Sequence, residues 1–175
     1  MELRLIRAVV FSLAGASSFA YWLWADPGPD TIYTEWRYVL LFSLSLLALG
    51  IALPVFGSMT GGRYAARVSL IAGSAAVFGS VVNVVEDGLE VESAFWGFVA
   101  ATALQLLALI VLTVAIALGA RGRRRLLALV PAGTALGILL YVQLGGVVML
   151  VTWLAAAAVA LSWPARWSVP KAAHA

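Results

Sequence analysis

Residues 126–163, LLALVPAGTALGILLYVQLGGVVMLVTWLAAAAVALSW, contain no Asp, Glu, Lys or Arg, and the number of times they cross a bilayer decides the fold. A hydrocarbon core about 30 Å thick is crossed by about 20 apolar helical residues, with a range of about 17–25. The run is too long for one span. It is interrupted at Gln143-Leu144-Gly145-Gly146, where a polar residue and two glycines mark a turn. The reading is two short helices, Leu126–Val142 and Val147–Trp163, joined by that turn.

Four further spans lie upstream: Ile6–Trp24, Tyr38–Phe56, Val68–Val85 and Ala94–Leu118. Six spans demand that successive connections alternate between the two sides of the membrane, and the charges do alternate. Seven of the eight acidic residues fall in the first connection (Asp26, Asp30, Glu35) and the third (Glu86, Asp87, Glu90, Glu92). The N-terminus (Arg4, Arg7), the second connection (Arg63, Arg67), the fourth (Arg121, Arg123, Arg124, Arg125) and the tail (Arg166, Lys171) are basic. Lys and Arg concentrate on the cytoplasmic side, so both termini are expected there. A single last span would place Arg166 and Lys171 outside, against that bias.

The expected fold is thus all-α: a polytopic six-helix membrane bundle over residues 1–167 with a short cytoplasmic tail, 168–175, in a bacterial or archaeal cytoplasmic membrane. Composition agrees. The 175 residues are 63% hydrophobic and 11% charged, against about 25% charged in soluble domains. Tyr21, Trp22, Trp24, Tyr33, Trp36, Tyr38, Trp96 and Tyr141 map to the outer boundary and Tyr64, Trp163 and Trp167 to the inner one, as interfacial belts do. Ser18-Phe19-Ala20 has the small residues of a signal-peptide cleavage site, but the first segment is read as a retained span.

The third span carries Ser69, Gly73, Ala76, Ser80, Asn83 and Asp87 at 4,3,4,3,4 spacing, one continuous small and polar helix face. Small residues let helix backbones approach closely in lipid, so this helix is expected at the packed centre of the bundle. Gly133 and Gly137 in the fifth span are a second pair of this kind. Pro54 and Pro131 occupy matching positions in the two halves, a faint trace of an inverted repeat.

Chemistry is sparse. With no cysteine, disulfides and thiolate metal sites are excluded, and the one histidine, His174, next to the C-terminus, argues against haem ligation. No other cofactor is evident. Gly57, Gly61 and Gly62 beside Arg63 lack the spacing of a phosphate-binding loop. No Asp, Glu, Lys, Arg or His stands mid-span, which speaks against a proton relay. The net charge of +3 belongs to the topology, so membrane lipids are the expected partner rather than nucleic acid, together with a protein partner or a second copy of the chain.

Candidate site residues gather at the outer end of the third span, where Asn83, Glu86 and Asp87 share one turn before Gly88. Carboxylates at a helix C-terminus are electrostatically unfavourable, so they invite a bound cation, a proton or an Arg such as Arg37. Glu86, Asp87 and Glu90 are the candidate metal ligands. Gln105, the one large polar side chain near the midplane, is expected to hydrogen-bond a neighbouring helix. Trp36 and Trp96 complete the candidate ligand site, and Arg121, Arg123, Arg124 and Arg125 the candidate lipid-headgroup site. The reading is a permease-like protein or the membrane subunit of a larger complex, binding a small or lipidic ligand or a cation. A lipid-modifying enzyme with an acidic site at the outer boundary is the alternative.

Overall fold

A computed structural model describes residues 2–25, 36–60 and 62–162, the side chain of Val142 aside. Asp26, Asp30, Tyr33 and Glu35 of the first connection, Gly61, and the tail with Trp163, Arg166, Trp167, Lys171 and His174 lie outside the described residues. Among those described there are six α-helices: α1 (Glu2–Trp24), α2 (Trp36–Met59), α3 (Arg63–Asn83), α4 (Phe95–Gly119), α5 (Leu129–Leu139) and α6 (Gly146–Ser162). The fold is all-helical, and five of its helical stretches are long and apolar enough to cross a membrane.

The exception is α5, and the local backbone explains how it keeps pace. Its 11 residues follow directly on a 7-residue 3-10 segment, Gly122–Ala128. A 3-10 helix rises about 2.0 Å per residue against about 1.5 Å for an α-helix, so the two segments together reach about 30 Å, the length of an ordinary 20-residue α-helix. The turn into α6 is a single π-turn, Tyr141–Gly145, closed by the Gly145 N–H on the Leu140 carbonyl at 2.7 Å. It sits slightly earlier than the expected Gln143–Gly146, and Gly146 already belongs to α6. A second π-turn, Val84–Gly88, continues α3 and is closed by the Leu89 N–H on the Val84 carbonyl at 3.0 Å.

Each helix packs chiefly on its neighbours in sequence, and α6 closes the ring against α1. Short connections make such neighbours antiparallel, and the charges sort accordingly. Arg63, Arg121 and Arg124 border a common recess of about 450 Å³ at one end. Glu86 and Asp87 meet the aromatic ends of the other helices at the opposite end.

Ser69, Gly73, Ala76, Ser80 and Asn83 of α3 are all buried, as the small-residue spacing predicts. They face α2. A Cβ added to Gly73 would lie 2.6 Å from the Gly50 carbonyl oxygen and 2.7 Å from Cδ of Pro54, a proline that α2 carries in its interior. Only a residue without a side chain fits that crossing. Gly133 and Gly137 do the same for α5, against Thr152 and Met149 of α6. Of the long helices α3 is the most buried, as expected. It packs on α2 with its small face and on α4 with another, while Leu70, Ile71, Phe78 and Val81 are exposed, so its place is in the wall of a ring.

Inside the ring, toward the basic end, Phe11 of α1, Phe56 of α2 and Trp153 of α6 fill the axis, with Trp153 5.4 Å from Phe11 and 6.2 Å from Phe56 between ring centroids. Outside it, the exposed faces are apolar: Leu40, Leu44, Leu47 and Ile51 run along α2, and Leu104, Leu107 and Ile110 along α4. An apolar girdle of this kind suits hydrocarbon and not water.

Candidate functional site

Toward the acidic end the same ring is hollow. A cavity of about 310 Å³ lies between α1, α2, α3, α4 and α5, closed at depth by Leu46, Leu49, Ile138 and Gln105. Phe95, Phe98, Thr102 and Gln105 line it from α4, and Tyr38, Phe42 and Leu49 from α2. At about 1.5 Å rise per residue, the ten steps from Phe95 to Gln105 and the eleven from Tyr38 to Leu49 both give a depth of about 15 Å. The floor therefore lies about 15 Å from the level of Tyr38 and Phe95 at the mouth.

The wall is a connected set of aromatic rings. Tyr141 stacks on Tyr21 at 4.8 Å and meets Phe42 edge-on at 5.2 Å, and Phe42 in turn lies 5.8 Å from Phe98. The Tyr141 hydroxyl is within 2.7 Å of Ser45 Oγ, which ties the π-turn before α6 to α2. Such ring pairs contribute about 0.5–1.5 kcal/mol each beyond the area they bury, so they hold the wall in place without filling the space behind it.

Polar groups stand at two levels. Near the mouth, Asn83 is buried and its Nδ2 donates to Ser43 Oγ at 3.1 Å, while Ser80 Oγ donates to the Ser43 carbonyl at 2.7 Å. Glu86 and Asp87 follow on the π-turn, adjacent and partly buried. π-turns break the regular hydrogen-bond ladder and are frequent at functional sites. Arg37, a candidate partner for these carboxylates, holds its guanidinium over the Tyr38 ring at 4.8 Å. At the floor, Gln105 is only 2% exposed, yet its Nε2 has no hydrogen-bond partner among the described residues. The expected bond to a neighbouring helix is not made. A buried donor left unpaired costs about 1–3 kcal/mol.

Four of the candidate ligand residues, Asn83, Glu86, Asp87 and Gln105, thus line one cavity. Trp96 is not brought to it: the side chain is 72% exposed and packs edge-on against Phe95. Trp36, also exposed, covers Gly88 from outside, 2.9 Å from where a Cβ there would sit. Glu90 is exposed and has a positive φ of 57°, just past the Gly88 turn. Among the described residues no three His, Cys, Asp or Glu side chains gather, so Glu90 does not join Glu86 and Asp87 in a three-carboxylate cluster. Arg121, Arg123 and Arg124 border a groove of about 830 Å³ along α5 and α6, whereas Arg125 Nε donates to the Ala120 carbonyl at 3.0 Å.

Sequence reasoning missed the aromatic wall. Tyr21, Tyr38 and Tyr141 read as an interfacial belt, and Phe42 and Phe98 as ordinary span residues. The signal was present in α4, where Phe95, Phe98, Thr102 and Gln105 follow one another at 3,4,3 spacing and so share one face. No family model, curated protein or solved structure matches this chain.

Proposed function

We propose that this chain crosses a cytoplasmic membrane six times, with its basic end in the cytoplasm, and binds a small ligand from the opposite side as a permease-like protein or the membrane subunit of a larger complex. The observation that carries the binding is the cavity, lined by Glu86 and Asp87 at one end and closed at depth by Leu46, Leu49, Ile138 and Gln105. Ligand sites are concave, mostly apolar, and hold a few placed polar groups in volumes of about 300–1,000 Å³. This cavity, at about 310 Å³, matches the lower end. Six crossings are supported by the combined reach of the 3-10 segment and α5, and the orientation by the collection of arginines at one end.

Native mass spectrometry of the protein released from nanodiscs tests the binding. The wild type is expected to carry a retained small molecule, and Thr102→Phe, which fills the cavity, is expected to lose it while melting at nearly the same temperature. Equal retention by both proteins would place the molecule elsewhere and end the proposal. The chain has no cysteine, so single Glu92→Cys and Arg123→Cys variants report orientation directly. A membrane-impermeant maleimide should modify the first in intact cells and the second only after permeabilisation. The reverse pattern would invert the assignment.

A further inference from the structure

We infer that the cavity takes an amphipathic organic cation, its charged group at the Glu86–Asp87 mouth and an oxygen acceptor at its far end on Gln105. This rests on the proposed ligand-binding role and narrows it to a chemical class. Three features, each at a different level of the cavity, carry it.

At the mouth, two carboxylates stand side by side on the π-turn and line the cavity. Unlike charges at a half-buried site attract more strongly than at an open surface, because less water screens them. Anions are repelled there. An inorganic cation is poorly served as well, since Ca²⁺ takes about 6–8 oxygen ligands and no third carboxylate joins the pair.

Along the wall, Tyr21, Tyr38, Phe42, Phe98 and Tyr141 present ring surface. Rings of this kind accept the face of an alkylated ammonium group by cation–π attraction, and the apolar body of an organic ligand by ordinary burial. Neither kind of contact is available to a small hydrated ion. The wall therefore selects an organic cation over a metal.

At the floor, the Gln105 amide is 2% exposed with Nε2 unpartnered among the described residues. Native proteins rarely leave such a donor unpaired. Thr102, one turn away on the same face, also lines the cavity. A carbonyl or hydroxyl oxygen brought against the amide would satisfy it while the charged group stays with the carboxylates, so the ligand carries its charge and its acceptor at opposite ends.

Three matched probes separate the parts of this inference: para-acetylbenzyl-trimethylammonium, its para-isopropyl analogue without the acceptor, and para-neopentylacetophenone, the uncharged isostere. Titration calorimetry on the protein in zwitterionic nanodiscs is expected to rank the acetyl cation first. The isopropyl cation should bind about tenfold more weakly for want of the hydrogen bond, and the neutral ketone about tenfold more weakly for want of the charge. The double variant Glu86→Gln, Asp87→Asn should cut the advantage of the cation over the ketone to what the rings alone supply and leave the ketone unchanged; an undiminished advantage overturns the carboxylate mouth. Gln105→Leu should abolish the advantage of acetyl over isopropyl. Equal binding of cation and ketone by the wild type overturns the cation and leaves the cavity as a ligand site. An acetyl preference that survives Gln105→Leu overturns the acceptor. Failure of all three probes to bind overturns this inference, whereas the function on which it rests falls only if wild type and Thr102→Phe retain the native molecule equally.

Discussion

The two halves of the ring use aromatic residues in opposite ways. Toward the basic end, Phe11, Phe56 and Trp153 reach the axis and fill it, all three at 1% exposure or less. Toward the acidic end, Tyr21, Phe42, Phe98 and Tyr141 lie around the wall and leave the axis open. The difference is set by what the rings face. Buried alanines, Ala14, Ala72, Ala76, Ala156 and Ala157, share the core with the first group, so a large ring has room to reach inward. In the second group Tyr21, Phe42, Phe98 and Tyr141 pack on one another, stacked, tilted or edge-on, around the perimeter. Identical residue types build a plug or a vestibule according to the size of their neighbours.

The contrast breaks most visibly at the plug. Trp153→Ala should cost about 3–5 kcal/mol of stability, the usual loss for a large buried aromatic, in reversible unfolding from mixed micelles. A loss below about 1 kcal/mol would mean that the axis is not packed as described. The α2–α3 crossing comes next. Gly73→Val forces a side chain against Gly50 and Pro54 and should cost about 1–3 kcal/mol by overpacking, with no effect expected if the two helices can separate freely. The smallest effect belongs to the vestibule. Tyr141→Phe removes the hydroxyl that meets Ser45 and should lower stability by about 0.6 kcal/mol, the average for a hydrogen bond between membrane helices. A loss as large as that of Trp153→Ala would show that the wall is a structural core and not a lining.

The helices were legible in the sequence because apolar length and charge alternation depend on composition alone, and α1, α2 and α4 begin within a few residues of the expected spans. That α3 is closely packed along one face was equally legible, since Ser69, Gly73 and Ala76 let another backbone approach there. The site was legible in its polar part. Asn83, Glu86, Asp87 and Gln105 stand out because lipid makes polar groups costly. Its apolar part did not stand out, because a Tyr at the membrane boundary has the same sequence signature whether it faces headgroups or a cavity. The ring order was also hidden: a small face announces that a helix is approached closely, but not by how many partners. Neither π-turn could be read from residue types, since Val84–Gly88 and Tyr141–Gly145 differ from α-helix only in hydrogen-bond register.

The 3-10 segment Gly122–Ala128 gives the stretch that leads into α5 an adjustable length. Each residue that passes from 3-10 to α geometry shortens the chain by about 0.5 Å, so the segment holds about 3–4 Å of travel between its two limiting forms. Bilayers of different cellular membranes differ in hydrocarbon thickness by a few Å. A rigid strut would answer such a change by tilting, but one helix among six cannot tilt alone without opening the ring. On the proposed six-crossing topology, rewinding at its arginine-rich foot would let this stretch follow a thinner or thicker membrane while α5 and the aromatic vestibule stay where they are.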